Sequence, residues 1–122
     1  MAAQHAMLSP ERWARFSFSQ QILMIGNEMN RAMKLNPTCD RDLLLGCYER
    51  VLRLVDLTVA VASRPTRRRE LLRWRDLIAG MYIDLEQART AHAAAFRCLL
   101  QFTPEGAAQI PLLLDTKDGA GA

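Results

Sequence analysis

Residues 43–62 read Leu43-Leu44-Leu45-Gly46-Cys47-Tyr48-Glu49-Arg50-Val51-Leu52-Arg53-Leu54-Val55-Asp56-Leu57-Thr58-Val59-Ala60-Val61-Ala62. Leu44, Cys47, Val51, Leu54, Val55, Thr58 and Val61 recur every three or four positions, the spacing that puts side chains on one face of an α-helix. Leu43, Leu45, Leu52 and Leu57 widen that stripe, so this helix is expected at the centre of the fold. Thr38 or Asp40 is placed to cap it, and it runs to about Ala62. Asp56 lies inside the apolar run, one turn from Arg53, and a carboxylate buried alone there would be costly. An internal Arg53–Asp56 pair is therefore expected. A catalytic carboxylate would call for a second acid or a histidine, and neither accompanies it.

Upstream, Ser9-Pro10-Glu11 joins a capping hydroxyl, a proline at the first helical position and an acid in the first turn, which predicts a short helix to about Phe16. Ser17 or Ser19 can cap the next helix. There Phe18, Ile22, Ile25, Met29 and Met33 share a face until Asn36-Pro37 stops it, because the residue before proline is pushed out of the helical region. Downstream, Ser63-Arg64-Pro65-Thr66 breaks the chain and offers Thr66 as a fresh cap. Leu71, Trp74, Ile78, Met81, Leu85, Ala88, Ala95 and Leu99 then carry the helical period to about Phe102. That span is long for one helix, and Gly80 or the alanine stretch Ala91–Ala95 is the expected joint. Thr103-Pro104-Glu105-Gly106 ends the periodic region.

These readings predict an all-α protein: an up-and-down bundle of about four helices, a short extra N-terminal helix and a flexible C-terminal tail. Residues 9–102 form the domain, with a flexible start over 1–8 and a disordered tail over 103–122. The composition agrees. The 122 residues suit one domain, and 18 Leu, 17 Ala and 6 Met against 6 Gly and 5 Pro favour helix. The longest uncharged stretch, Phe16–Asn27, is too short to span a bilayer, and Met1–Pro10 has no secretory pattern, so no membrane contact and a cytoplasmic location are expected. Cys39, Cys47 and Cys98 are unpatterned and read as free thiols.

The net charge is +3, and 14 of the 16 basic residues are Arg. Residues 64–75 hold six of these arginines and one acid, a local charge of +5, while the rest of the chain sums to −2. With Thr66 as cap, Arg67, Arg68 and Arg69 fall in the first helical turn, where the macrodipole already presents positive charge. Free N–H groups and guanidinium forks together make a site for an anion. Arg64, Arg67, Arg68, Arg69 and Arg73 are thus the candidate contacts for carboxylates of a protein partner or for phosphates of RNA or DNA. The alternative is a solvated basic turn without a ligand. Trp74 lies on the apolar stripe and reads as core rather than as a base-stacking platform.

Catalytic chemistry has little to stand on. His5 and His92 lack a nucleophile or acid at a telling spacing, and no metal-binding or Gly-rich phosphate motif occurs, so no cofactor and no metal are expected. Asn27, Glu28, Asn30 and Arg31 can face Glu49, Arg50, Arg53 and Asp56 across two helices as a polar layer that sets register between helices or between subunits; Glu49 and Arg53 are also a favourable i,i+4 pair.

Two resemblances bear on function. Ser19-Gln20-Gln21, Ile25-Gly26-Asn27-Glu28, Arg31-Ala32, Arg50-Val51-Leu52 and Leu54-Val55-Asp56-Leu57-Thr58, within Trp13–Tyr82, resemble a group of small prokaryotic all-helical proteins, which implies a fold and no activity. Arg75-Asp76-Leu77-Ile78-Ala79-Gly80-Met81-Tyr82 is similar to the Arg-polar-x-x-x-His-x-Tyr segment of HEPN-type helical ribonucleases of toxin–antitoxin systems. Arg75, Asp76 and Tyr82 match, while Gly80 stands where the histidine would be. That resemblance implies a bundle that has lost cleavage and keeps RNA or partner binding. The expectation is a small, self-associating, non-enzymatic module that uses the Arg64–Arg75 segment on an acidic partner, with nucleic-acid binding as the alternative.

Overall fold

A computed structural model describes residues 8–115. His5, the expected flexible start up to residue 7 and the tail over 116–122 lie outside the described residues. Those described are helical and contain no strand: α1 (Pro10–Trp13), α2 (Phe18–Met33), α3 (Arg41–Val61), α4 (Pro65–Ile83), α5 (Leu85–Leu100) and α6 (Pro104–Ala107), then a π-helical turn at Pro111–Asp115. Each of α2, α3, α4 and α5 packs on the next, and α5 closes the ring on α2. The result is the expected four-helix up-and-down bundle.

The caps explain most boundaries. Ser9 accepts from the Arg12 amide, and Ser17 with Gln20 forms a reciprocal capping box at the start of α2. Asp40 is the N-cap residue of α3, but its carboxylate accepts from the Asn36 amide instead of closing its own helix. Two expectations need correction. Thr66 does not cap α4: Arg64 holds the N-cap position, with Pro65 at the first helical residue, so Thr66 is already inside the helix. The long C-terminal span divides at Asp84 rather than at Gly80 or Ala91–Ala95. Asp84 ends α4 and caps α5, its side chain accepting from the Glu86 and Gln87 amides.

The core runs along the bundle axis through Ile22, Ile25, Met29, Val51, Val55, Leu71, Trp74, Ile78, Phe96 and Leu99. Trp13, on α1, closes one side of it: its indole N–H donates to Thr58 Oγ1 at 2.9 Å, and that hydroxyl donates to the Leu54 carbonyl at 2.8 Å. The buried Gln21 amide donates to the Trp13 and Phe16 carbonyls, so the turn between α1 and α2 leaves neither oxygen orphaned.

Residues 103–115, expected to begin the disordered tail, are helical and packed. Thr103 caps α6 by accepting from the Gly106 amide. A Cβ on Gly106 would lie 2.5 Å from the Leu100 carbonyl oxygen, so the reversal after α5 has room for glycine alone. Leu113 and Leu114 pack against the core, and Asp115 pairs with Arg97 at 2.7 Å. Buried Ile110 together with the partly buried Leu113 and Leu114 holds this segment to its own domain, while Leu112 faces outward.

Candidate functional site

Successive helical residues turn by about 100°, so the arginines of α4 cannot share one direction, and their contacts show where each goes. Arg68 reaches sideways to α3 and donates to the Ala62 carbonyl at 2.7 Å, satisfying the end of that helix. Arg67 turns inward, and its guanidinium carbon stands 3.8 Å from the centre of the Phe18 ring. Arg69 and Arg73 lie on the outer face, opposite the buried Leu71, Trp74 and Ile78. Arg64 stands before the first turn. None of Arg64, Arg69 and Arg73 makes an ion pair among the described residues.

Arg67 lies at the mouth of a groove of about 520 Å³, lined by Phe18, Arg64, Thr66, Arg67, Glu70, Cys98, Gln101 and Phe102. Three helices build it: α2 supplies the aromatic floor, α4 the charge and α5 the far wall. The helix start that opens into it is uncapped, since no side chain accepts from it and its first internal bond runs from the Arg68 amide to the Arg64 carbonyl. Burial, and then the neighbouring Arg64 charge, press the Arg67 guanidinium below its ordinary pKa. Two like charges are thus held together beside spare N–H groups, with Glu70 as the acid in the lining.

Arg75, Asp76 and Tyr82 occupy a different surface, on the stretch of α4 beyond the groove. Arg75 donates to Asp56 through Nε at 2.6 Å and through a second nitrogen at 3.3 Å. Tyr82 donates its hydroxyl to Glu49 at 2.7 Å, a bond that raises the phenol's pKa. Arg75 and Tyr82 are seven residues apart on α4, as are Asp56 and Glu49 on the antiparallel α3, so the two pairs are rungs of one ladder along the seam. Asp76 faces outward. The expected Arg53–Asp56 pair does not form: both residues are exposed, and Asp56 leans to α4, where Arg75 offers a two-pronged partner. Glu49 likewise bonds Tyr82 and not Arg53. The polar layer between α2 and α3 is narrower than expected and centres on Glu28, which pairs with Arg50 at 3.1 Å and Arg31 at 3.2 Å.

His92, which has no partner at a telling spacing in the sequence, is a buried polar group that ties three helices together. His92 Nδ1 lies 2.7 Å from the Tyr48 hydroxyl and Nε2 lies 2.8 Å from the Met29 carbonyl oxygen, so one ring joins α2, α3 and α5. Desolvation lowers its pKa, partly offset by the Met29 bond. Both ring nitrogens are engaged within the fold, and the ring borders a pocket also lined by Leu44, Tyr48, Ala88 and Arg89. Trp74 is also committed, donating its indole N–H to the Ala95 carbonyl at 2.8 Å, which takes it out of reach of a base. The thiols of Cys39 and Cys98 are exposed and that of Cys47 is buried, all free. Among the described residues no cluster of His, Cys, Asp and Glu could hold a metal ion, and no helix is long and apolar enough to cross a membrane.

No family model, no curated protein and no solved structure matches the chain. The geometry is what function can be argued from.

Proposed function

We propose that the protein is a non-enzymatic interaction module that holds an acidic segment of a partner protein in the groove at the start of α4. The observation that carries this reading is the Arg67 guanidinium, fixed over the Phe18 ring beside the unpaired Arg64. A guanidinium ordered before its ligand arrives loses less entropy on binding, and a carboxylate between the two arginines would relieve their mutual repulsion. Phe18 and Phe102 add apolar walls, so the fitting segment alternates acidic and apolar side chains. Of the other arginines, Arg68 supports the fold, while Arg69 and Arg73 face away from the groove.

The test is a titration of a fluorescent peptide of alternating Glu and Leu, beside single-stranded RNA and duplex DNA, at about 50 and 200 mM salt. Arg64→Glu is the informative variant, because it leaves the contacts of Arg67 and Arg68 in place. Peptide binding that weakens at least tenfold in the variant, with bound peptide slowing alkylation of Cys98 but not of Cys39, supports the reading. Steeply salt-dependent binding of an oligonucleotide in preference to the peptide would move the function to nucleic-acid recognition. No binding of either would sink both.

A further inference from the structure

The outer face of α4 is unlike an ordinary solvated helix surface. Leu71, Trp74, Ile78 and Met81 point into the core, and the opposite face carries Arg69, Leu72, Arg73, Asp76 and Ile83, with Leu77 at its flank and Gly80 partly covered by Gln87. Three of these are large apolar residues left in water: Leu72 is 44%, Leu77 49% and Ile83 82% exposed. Arg73 and Asp76 stand between the two leucines. They are one turn apart, yet they make no ion pair with each other; Asp76 instead feels the charge of Arg75, whose guanidinium is held by Asp56.

This face is complementary to itself. When a second α4 is laid against the first in the antiparallel sense, a register that puts Arg73 level with Asp76 of the second copy also puts Asp76 level with Arg73, as two-fold symmetry demands. In the same register Arg69 falls level with Gly80, where the Gln87 side-chain amide lies 3.7 Å from the position a Cβ would take. Leu72 and Leu77 flank the two charge pairs on either side of the helix and are covered together. A parallel arrangement would instead set Arg73 against Arg73 and Asp76 against Asp76.

We infer that a second copy of this chain docks on the outer face of α4, antiparallel, through reciprocal Arg73–Asp76 pairs flanked by Leu72 and Leu77. The contact is one helix wide, which places it among the small, reversible interfaces, sensitive to charge at its centre. It is independent of the groove reading. Arg64 and Arg67 lie on the other side of α4, and Arg64→Glu leaves self-association unchanged.

The test is sedimentation velocity over a dilution series, with circular dichroism to confirm that each variant is folded. Both positions are exposed, so neither substitution disturbs the core. The native chain is expected to dimerise reversibly. Arg73→Asp and Asp76→Arg each place like charges at the centre and weaken dimerisation at least tenfold. An equimolar mixture of the two variants forms a heterodimer, because every central pair is then opposite in sign, and the Arg73→Asp/Asp76→Arg double variant dimerises with itself again. A native chain that stays monomeric throughout the series overturns the inference. So do single variants that dimerise like the native chain, or a mixture that fails to pair when each alone has lost dimerisation.

Discussion

The Tyr48 hydroxyl donates its hydrogen to Nδ1 of His92 across 2.7 Å of otherwise apolar core. The direction follows from the other side of the ring. Burial favours the neutral ring, and in that form the Met29 carbonyl, which can only accept, puts the imidazole hydrogen on Nε2 and leaves Nδ1 a lone pair. The bundle is therefore built around a neutral histidine.

Stability consequently depends on pH with a definite sign. The His92 pKa is depressed in the fold below its ordinary value of 6.5, so below that pH the unfolded chain binds more protons than the folded one. The contribution of the neutral His92 is complete above about pH 6.5 and is lost as pH falls from there through the folded-state pKa. Urea midpoints measured between neutral and mildly acidic pH should fall in the native protein and stay flatter in His92→Gln. Equal slopes in the two proteins would contradict the neutral assignment.

The Asp56–Arg75 contact is short, but Asp56 is 56% and Arg75 33% exposed, and solvent screens such pairs. Its coupling energy in a double-mutant cycle is expected at about 0.2–1 kcal/mol. Arg53→Ala, by contrast, should leave stability within about 0.5 kcal/mol of native, as for a surface residue that makes no ion pair among the described residues. A larger loss at position 53 than at 75 would restore the pairing that sequence spacing suggests.

Gly106→Ala drives a methyl group into the Leu100 carbonyl oxygen, a backbone atom that cannot swing aside. A loss of roughly 1–3 kcal/mol is expected, the range for forcing extra volume into a packed site. Gly46→Ala is the control: its new Cβ would meet a single flexible Arg50 nitrogen at 3.5 Å, in mid-helix where alanine is favoured. Thermal melts of the two variants should move in opposite directions.

The bundle was legible because Ile22, Ile25, Met29, Val51, Val55 and Leu71 are periodic and periodicity survives without knowledge of partners. The α4–α5 joint was not, since Asp84 is at once the C-cap of one helix and the N-cap of the next, and Met81 and Leu85 keep the same spacing across it. The local clue was Asp84 followed three residues later by Gln87. The arginine run could be located but not apportioned. Whether Arg67 meets Phe18 and Arg68 meets Ala62 depends on segments 49 and 6 residues away coming to either side of one turn. His92 was least legible: four neighbouring alanines, 91 and 93–95, make it look isolated, and its partner Tyr48 is 44 residues away.

The rungs between α3 and α4 make those helices a geared pair. Because Arg75 and Tyr82 are spaced like Asp56 and Glu49, both teeth engage in a single register of the two helices. An extra residue at Ser63 lengthens the connection and leaves the gearing intact, whereas one inserted between Asp76 and Met81 rotates everything beyond it by about 100° and carries Tyr82 off its mate. Chains descended from this one are thus free to vary in length at 62–64 and are locked in length across 49–56 and 75–82.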